Sequence, residues 1–313
     1  MSSVSDPPSR RQAFPDPIPG IITFGSLNLL AGASGVGKTC LLAWVLAQLR
    51  DGAPVFDHPV NTPTKLGYIC ADRGHATAYY WLDKIGYSDI PFYSLADDEG
   101  FNTSRLRSKV SLIKVLGECI DKLALPPGGL VVVDPLAIFM GGNLNDYLNC
   151  AVACLEMRRE CKRRQITMIG TAHASKQKAD KKQRYERLQD RILGSTAQLA
   201  YGDTQLYLAA PEETDERFYT FLWHSHTSPA ETVSLGRNTQ GMFVPWAQSV
   251  VAAEEGAVYK AIPEDHSPIP LTTILGLCSD ISRATVFRRL QELVDQGLIE
   301  REDKGQYKRR KVH

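Results

Sequence analysis

The chain has 313 residues, and its 36 basic and 35 acidic side chains leave a formal charge of +1. A hydrophobic fraction of 43% and a charged fraction of 23% are typical of globular proteins, so the composition excludes a mostly disordered chain. The charge excludes attachment to nucleic acid or membrane by bulk charge alone, although a local basic face stays open. At about 100–200 residues per domain, the length predicts one large domain with a smaller one attached.

Neither a secretory leader nor a membrane span is predicted. Residues 1–20 carry five prolines and no apolar segment, so we expect a flexible N-terminal segment rather than a signal peptide. The sequence has no run of about 18 apolar residues, which a membrane helix requires. Its seven cysteines include no C-x-x-C pair, which favours reduced and buried thiols in a cytoplasmic protein.

From residue 21 to residue 248, apolar segments alternate with helical patterns, which predicts one α/β domain. Strands are predicted at residues 26–31, 66–71, 129–134 and 166–171. Helices are predicted at residues 38–50, 75–85, 104–123 and 146–164. Runs that are apolar throughout, such as LVVV at residues 130–133, are typical of parallel strands buried on both faces.

The pattern of predicted elements changes from residue 204 onward, where short strands follow one another across polar turns. These strands are predicted at residues 204–210, 217–224, 231–236 and 241–246. Strands joined by such short turns are typical of antiparallel pairing. We therefore expect the mainly parallel sheet to carry an antiparallel extension.

Residues 252–313 are predicted to form a second, smaller domain. Its predicted helices lie at residues 254–262, 271–277 and 282–296, and a hairpin with Lys304 and Gly305 at its tip follows. Val286, Leu290 and Leu293 give the last helix an apolar stripe. This order of elements is typical of a winged helix-turn-helix, in which a helix enters the major groove of DNA.

Several basic residues of this small domain are candidates for contact with DNA. They are Arg283, Arg288, Arg289, Lys308, Arg309 and Arg310, and those on the helix are expected to face outward. Ten basic and ten acidic residues balance over residues 251–313, so the domain as a whole is not basic. Contact with a protein instead of DNA stays open.

Residues 32–39 (GASGVGKT) fit the phosphate-loop pattern G-x-x-x-x-G-K-[ST], directly after a predicted strand and at the start of a predicted helix. The glycines let successive N–H groups face phosphate oxygens, and the helix N-terminus adds partial positive charge. The Lys38 ammonium can reach the β- and γ-phosphates, and the Thr39 hydroxyl can bind Mg²⁺. The pattern predicts a purine nucleoside triphosphate, taken as ATP, bound by Gly32, Ala33, Ser34, Gly35, Val36, Gly37, Lys38, Thr39 and Cys40.

Acidic residues end two of the predicted strands. Asp134 ends the most apolar one, at the edge where α/β sheets bind ligands, and we expect it to hold Mg²⁺ together with Thr39. Asp72 ends the second strand and is the best candidate to activate the attacking water, ahead of Glu118 and Asp146 on predicted helices. Either strand-end aspartate could instead cap the helix that follows it.

His173 follows the fourth strand and could contact the γ-phosphate and report its presence, although a lone histidine is more often a hydrogen-bonded polar residue. Residues 176–191, which come next, hold seven basic and three acidic side chains. We expect an exposed loop that contacts single-stranded DNA, although a solvated charged helix stays the alternative. The candidate DNA contacts are Lys176, Lys178, Lys181, Lys182 and Arg184.

These motifs resemble the RecA-like ATPases, and within them the hexameric replicative helicases of the RepA and DnaB type in plasmids and phages. The resemblance covers roughly residues 16–245. It is carried by SLNLLAGASGVGKTCLLAWVLAQL, GYICADRGHATAYYWLDKIG, GLVVVDPLAIFMGG, MIGTAHASK and RILGSTAQLAYGDTQLYL. It implies a ring, expected to be a hexamer, with ATP between subunits and single-stranded DNA passing loops near residues 141–149 and 176–190.

The sequence departs from that family at two positions. The second strand usually ends in Glu, whereas here it ends in the shorter Asp72. The family also places basic residues on a late strand to reach the γ-phosphate of the neighbouring subunit, and the comparable residues 223–226 (WHSH) contain no Lys or Arg. Arg237 is the nearest substitute and is the candidate finger that would act on the neighbouring subunit.

The leading interpretation is an ATP hydrolase that drives a DNA-processing motor, a helicase or translocase, in the replication of a phage, plasmid or mobile element. The alternative is a nucleotide-gated DNA-binding switch or helicase loader with weak or no hydrolysis, which the two departures favour. A third is a scaffold whose C-terminal domain docks replication proteins. The expected partners are DNA, further copies of the chain and replication proteins, with no membrane.

Overall fold

A computed structural model describes residues 14–72, 75–99, 109–140, 147–173, 202–211, 218–225, 228–238, 241–249, 256–295, 298–302 and 305–310. The chain divides into two compact units, residues 1–234 and 235–313. The division between the units lies inside a strand, after residue 234. The larger domain predicted from the sequence ends later, at residue 248. The predicted domain limits, residues 21–248 and 252–313, stay predictions.

Six parallel strands form the centre of the sheet in the first unit. They are β1 (Leu27–Gly32), β2 (Leu66–Cys70), β3 (Phe92–Ser94), β4 (Leu130–Asp134), β5 (Thr167–His173) and β6 (Thr204–Ala209). Their order is β3-β2-β4-β5-β1-β6. Two further strands extend this order, β7 (Tyr219–Ser225), antiparallel to β6, and β8 (Ser228–Arg237). The predicted α/β class, with a mainly parallel sheet and an antiparallel extension, is confirmed.

Helices connect the parallel strands. They are α1 (Lys38–Asp51), α2 (His75–Lys84), α3 (Lys109–Lys122), α4 (Ala137–Met140) and α5 (Tyr147–Arg164). Neither α4 nor β3 was predicted from the sequence, since elements of three or four residues are too short to show a period. Residues 104–108 of the predicted third helix lie outside the described residues.

Both faces of the sheet are buried, as the apolar strands predict. Leu27 and Leu29 of β1 pack in one cluster with side chains of α3 and α5, such as Leu116 and Met157. Leu30, the residue after Leu29, faces the opposite side, where it lines a small apolar cavity with residues of α1. This alternation follows from the period of two in a strand, and it fixes the loop after β1 between two packed layers.

The N-terminal part of the first unit is packed in its described portion, which corrects the prediction of a flexible segment up to residue 20. Ile18 is 1% exposed and lines the same apolar cavity as Leu30 and Phe221. The prolines of this segment suggested an open chain, but the isoleucines between and after them bury apolar area. Residues 1–13 lie outside the described residues.

The second unit starts in the last part of β8, which pairs antiparallel with β9 (Phe243–Pro245). A short 3₁₀ helix (Trp246–Gln248) and a helical segment at residues 256–260 follow. Two helices then come, α6 (Leu271–Leu277) and α7 (Arg283–Asp295). Strands β10 (Ile269–Pro270), β11 (Ile299–Glu302) and β12 (Gln306–Arg309) form an antiparallel sheet in the order β10-β12-β11.

The core of the second unit is centred on α7. Val286, Leu290 and Leu293 are buried together with residues of β11 and β12, as the apolar stripe predicts. The helices and the hairpin follow one another in the predicted order, and the winged-helix assignment stays a prediction. In the described part of the chain, every helix is too short or too polar to span a membrane.

Candidate active site

The loop between β1 and α1 has the backbone that the glycine-rich pattern requires. Gly37, directly before α1, has a φ of 109°, a conformation that residues with a Cβ rarely adopt. A Cβ on Gly32 would lie 2.6 Å from the backbone oxygen of Leu208 in the neighbouring strand, so only glycine fits where β1 ends. The tip of the loop, Ser34 and Gly35, is exposed, whereas Val36 and Cys40 are buried and Ala33 is half-buried.

The start of α1 has the character of an anion site. In this helix, whose residues are all described, the first turn contains no acidic side chain and Gly37 supplies no side-chain cap. The first amide groups therefore keep their partial positive charge, to which the Lys38 ammonium adds a full one. Lys38 is 7% exposed, and its Nζ donates to the carbonyl oxygens of Gly32 at 2.8 Å and Ala33 at 3.0 Å. The cation is thus held against the loop that is predicted to bind phosphate.

Asp134 lies opposite this loop, at the end of β4. Its Oδ2 accepts a hydrogen bond of 2.7 Å from the Thr39 hydroxyl, so the loop and the strand-end carboxylate are in direct contact. Tyr68 Oη donates to the same oxygen at 2.6 Å, and Thr171 Oγ1 donates to Oδ1 at 2.5 Å. The predicted pair Thr39 and Asp134 is thereby brought together.

Tyr68 and Thr171 were missed as site residues by the sequence analysis. Tyr68 is fully buried in β2, and burial, with the Asp134 charge as the second cause, holds the pKa of its phenol well above the usual value. The phenol therefore keeps its proton and stays a hydrogen-bond donor. A signal was present, because a tyrosine in a strand buried on both faces needs a partner for its hydroxyl group.

The two remaining catalytic candidates lie at the same edge of the sheet. The Ala71 amide donates to the Asp134 carbonyl oxygen at 2.9 Å, and Asp72 follows directly with an exposed side chain. His173 is the last residue of β5, is exposed, and pairs in register with Gly32. The carboxyl ends of β1, β2, β4 and β5 therefore bring the loop, Asp72, Asp134 and His173 to one edge, as in other α/β sheets that bind ligands there.

The residues at this edge suit Mg²⁺ better than a metal that needs a full set of protein ligands. Mg²⁺ keeps several waters and takes only one or two protein oxygens beside those of phosphate. The hydroxyl of Thr39 and the carboxylate of Asp134, in contact, are such oxygens. Within the described residues, no cluster of three or more His, Cys, Asp or Glu side chains could hold a metal ion.

Arg237, the candidate finger, is engaged in its own hairpin. Its Nη1 donates to the carbonyl oxygen of Gly241 at 2.8 Å, and its guanidinium carbon lies 3.6 Å from the centre of the Phe243 ring. Both partners belong to the turn and strand that follow β8. A role on a neighbouring subunit would require the side chain to leave these contacts.

Basic residues of the second unit differ in how far their charges are already compensated. Arg289 is 3% exposed and pairs with Glu292 at 2.6 Å, so the prediction that it faces outward is wrong. Arg309 donates to the carbonyl oxygens of Ile262 at 2.9 Å and Tyr259 at 3.3 Å. Lys308 pairs with Glu300 and Glu302 on the facing strand.

The remaining three candidates in this unit are more exposed. Arg283 and Arg288 lie on the exposed side of α7, beside Phe287, which is 42% exposed. Arg310 has an exposed side chain, 3.8 Å from Glu300. The basic segment that holds Lys176, Lys178, Lys181, Lys182 and Arg184, and also His226, lie outside the described residues.

Comparison with known protein families identifies one family in this chain. The family described as "AAA domain" matches residues 2–179, which is more than half of the chain. A solved structure described as an "ATPase Domain" is similar over 70% of this chain and 84% of that chain, with 14% identity and a TM-score of 0.46. No curated protein matches.

The matched residues contain the phosphate loop, Asp72, Asp134 and His173, the residues that the fold brings to one edge of the sheet. The first unit is therefore a P-loop ATPase domain, and the chain belongs to the AAA domain family.

Proposed function

We propose that the chain is an ATP-dependent DNA-processing motor, a helicase or translocase that works in the replication of a phage, plasmid or mobile element. The observation that carries the hydrolytic part is the contact between the phosphate loop and the strand-end carboxylate, Thr39 Oγ1 to Asp134 Oδ2 at 2.7 Å. The likeness of the motifs to RepA- and DnaB-type helicases supports the DNA part. In this proposal, the substrates are ATP and DNA.

Each residue at the edge has a distinct part in hydrolysis. The amides of the loop and the Lys38 ammonium bind the phosphates and offset the negative charge that develops during transfer. Thr39 and Asp134 would hold Mg²⁺, which would supply positive charge to offset the charge of the phosphates. Asp72 orients the attacking water and accepts its proton. His173, on the strand that leads into the basic segment, contacts the γ-phosphate and transmits its presence.

DNA would be bound by two regions of different character. The basic segment at residues 176–191 binds the backbone of single-stranded DNA, because its positive side chains attract the phosphates. This attraction does not depend on the base sequence. The second unit, proposed as a winged helix, presents Arg283 and Arg288 of α7 to duplex DNA. Assembly into a ring, expected to be a hexamer, would place several basic segments around one strand, and replication proteins are the further partners.

A second candidate is a nucleotide-gated DNA-binding switch with weak or no hydrolysis. Arg237 favours it, because this arginine is engaged with Gly241 and Phe243 in its own hairpin. A finger that acts across the subunit interface stabilises transition-state charge, and its loss slows phosphoryl transfer by about 10³-fold or more. The shorter Asp72 points the same way. In this candidate, ATP sets the oligomeric state and the second unit binds DNA.

Hydrolysis measured with and without DNA distinguishes the two functions. The motor predicts ATP hydrolysis that rises when single-stranded DNA is added at low salt, together with a hexamer in mass photometry that needs ATP or DNA. The switch predicts slow hydrolysis that is insensitive to DNA, with ATP-dependent binding of duplex DNA. Hydrolysis that is insensitive to DNA and unchanged in Lys38→Ala would contradict the motor.

A further inference from the structure

Three hydroxyl groups among the described residues converge on the Asp134 carboxylate from three different elements. Thr39 lies at the start of α1, Tyr68 in β2 and Thr171 in β5. Their oxygens lie 2.7, 2.6 and 2.5 Å from the carboxylate oxygens. Thr39 belongs to the phosphate-loop motif, whereas the other two belong to strands on either side of β4. The carboxylate therefore accepts hydrogen bonds from both neighbouring strands.

The positions of these two donors are fixed by the sheet. Tyr68 is 0% exposed, and its ring stacks on Phe92 with centroids 5.5 Å apart and planes inclined by 10°. Thr171 is 1% exposed, and its carbonyl oxygen accepts from the Leu136 amide at 3.0 Å. A carboxylate has about four acceptor sites, so the three hydroxyls fill most of them and leave room on Oδ1. The orientation of the group is therefore set by the protein itself.

We propose that Tyr68 and Thr171 are positioning residues that hold the Asp134 carboxylate in the orientation required for Mg²⁺ at the nucleotide. The inference depends on the proposed function, since it assumes that nucleotide and Mg²⁺ bind at this edge. Partners that hydrogen-bond a metal-binding side chain orient it, and their loss typically costs about 10–100-fold in metal affinity. Tyr68→Phe removes one donor while it keeps the ring and its packing on Phe92.

The experiment measures release of a fluorescent ADP analogue from the full chain by stopped flow, over a series of Mg²⁺ concentrations. In the wild type, Mg²⁺ is expected to slow release. In Tyr68→Phe, the Mg²⁺ concentration for half of that effect is expected to rise about tenfold. Release in EDTA is expected to be unchanged, because the loop amides and Lys38 remain. A role in stability alone would leave the Mg²⁺ midpoint in place.

Tyr93→Phe is the matched control. The Tyr93 hydroxyl also donates to an aspartate, Asp98 Oδ2 at 2.5 Å, but in β3 at the edge of the sheet. The Tyr93→Phe variant is expected to release the ADP analogue at the wild-type rate, both in Mg²⁺ and in EDTA. If Tyr68→Phe does not fold, Thr171→Val decides, because valine has nearly the shape of threonine without the donor, and its Mg²⁺ midpoint is expected to rise in the same way.

The outcomes separate this inference from the proposed function. A wild-type chain that does not bind the ADP analogue would overturn both. Binding that responds to Mg²⁺, with an unchanged midpoint in Tyr68→Phe, or in Thr171→Val where the tyrosine variant does not fold, would overturn the positioning role alone. A raised midpoint in the Tyr93→Phe control would also overturn it, because the effect would then not be specific to Asp134.

Discussion

Lys38 in the first unit and Arg309 in the second are both cations held by backbone carbonyl groups, but their surroundings differ. Lys38 bonds to Gly32 and Ala33 of its own loop, beside the amides at the start of α1. Arg309 bonds to carbonyls of Tyr259 and Ile262, far away in the chain, and its guanidinium carbon lies 4.3 Å from the centre of the Tyr259 ring. The first cation lies in an anion site, whereas the second joins distant segments of its unit.

A basic side chain is identified as a ligand-binding group by the groups that surround it. Around Lys38, the helix N-terminus adds positive potential, so a phosphate would gain from both charges. Around Arg309, carbonyl oxygens, an aromatic face and Glu264 at 3.4 Å already compensate the charge. Binding of DNA through Arg309 would have to replace these contacts. We therefore expect Lys38 to affect chemistry and Arg309 to affect folding.

The largest effect is expected for Lys38→Ala, which tests the first half of the contrast. Loss of a group that stabilises charge in the transition state typically costs about 10²–10³-fold in rate, so ATP hydrolysis should fall at least 100-fold. The measurement is steady-state phosphate release from the full chain at saturating ATP. Circular dichroism should show that the variant stays folded.

Lys65→Ala is the matched control for this change. The Lys65 Nζ also donates to two carbonyl oxygens, those of Leu123 at 2.9 Å and Ala124 at 3.2 Å, but it precedes β2 and so lies at the amino end of that strand. The hydrolysis rate of this variant should stay within about twofold of the wild type, because the amino end of β2 lies at the edge of the sheet opposite the phosphate loop. Equal losses in the two variants would contradict the assignment of Lys38.

An intermediate effect is expected for Arg309→Ala, which tests the second half. The change leaves two carbonyl oxygens without this donor and removes the contact with the Tyr259 ring, so the second unit should lose about 2–4 kcal/mol. Hydrogen–deuterium exchange of peptides from residues 256–310 measures this loss within the full chain. Arg310→Ala is the control, and it should change the exchange rate little, because the Arg310 side chain is 58% exposed. Unchanged protection in Arg309→Ala, together with weaker binding of DNA, would reverse our assignment.

The residues whose places in the fold were predicted correctly are those that a short stretch of chain fixes. The glycine spacing determines the loop, and the apolar run before Asp134 determines the strand that carries it. The contact of Tyr68 with Asp134 could not be predicted, because it depends on β2 lying beside β4, and the sequence does not show which strands are neighbours. Register in a parallel sheet is set by tertiary packing.

Arg289 shows a different kind of error, since its burial was readable from the sequence. It lies three residues after Val286 and four before Leu293, on the side of α7 that the apolar stripe buries. Arg288, one residue earlier, is turned by about 100° and is exposed. The helical period alone places Arg289 on the buried side of α7. Burial of Arg289 is possible because Glu292, one turn later, pairs with it.

The smallest effect is expected for DNA binding by the second unit, where exposed and paired cations can be compared directly. Arg288→Ala should weaken binding of a random-sequence duplex about three- to tenfold at low salt and reduce the slope of log K against log salt by about 0.9, as loss of one phosphate contact does. Lys308→Ala should change affinity less than about twofold, because Glu300 and Glu302 already pair with that ammonium and exposed pairs contribute little. Fluorescence anisotropy at several salt concentrations measures both affinities.

A larger loss of affinity for Lys308→Ala than for Arg288→Ala would place the DNA contact on the β11–β12 hairpin instead of α7. The ion pairs of Lys308 with Glu300 and Glu302 would then have to open on binding.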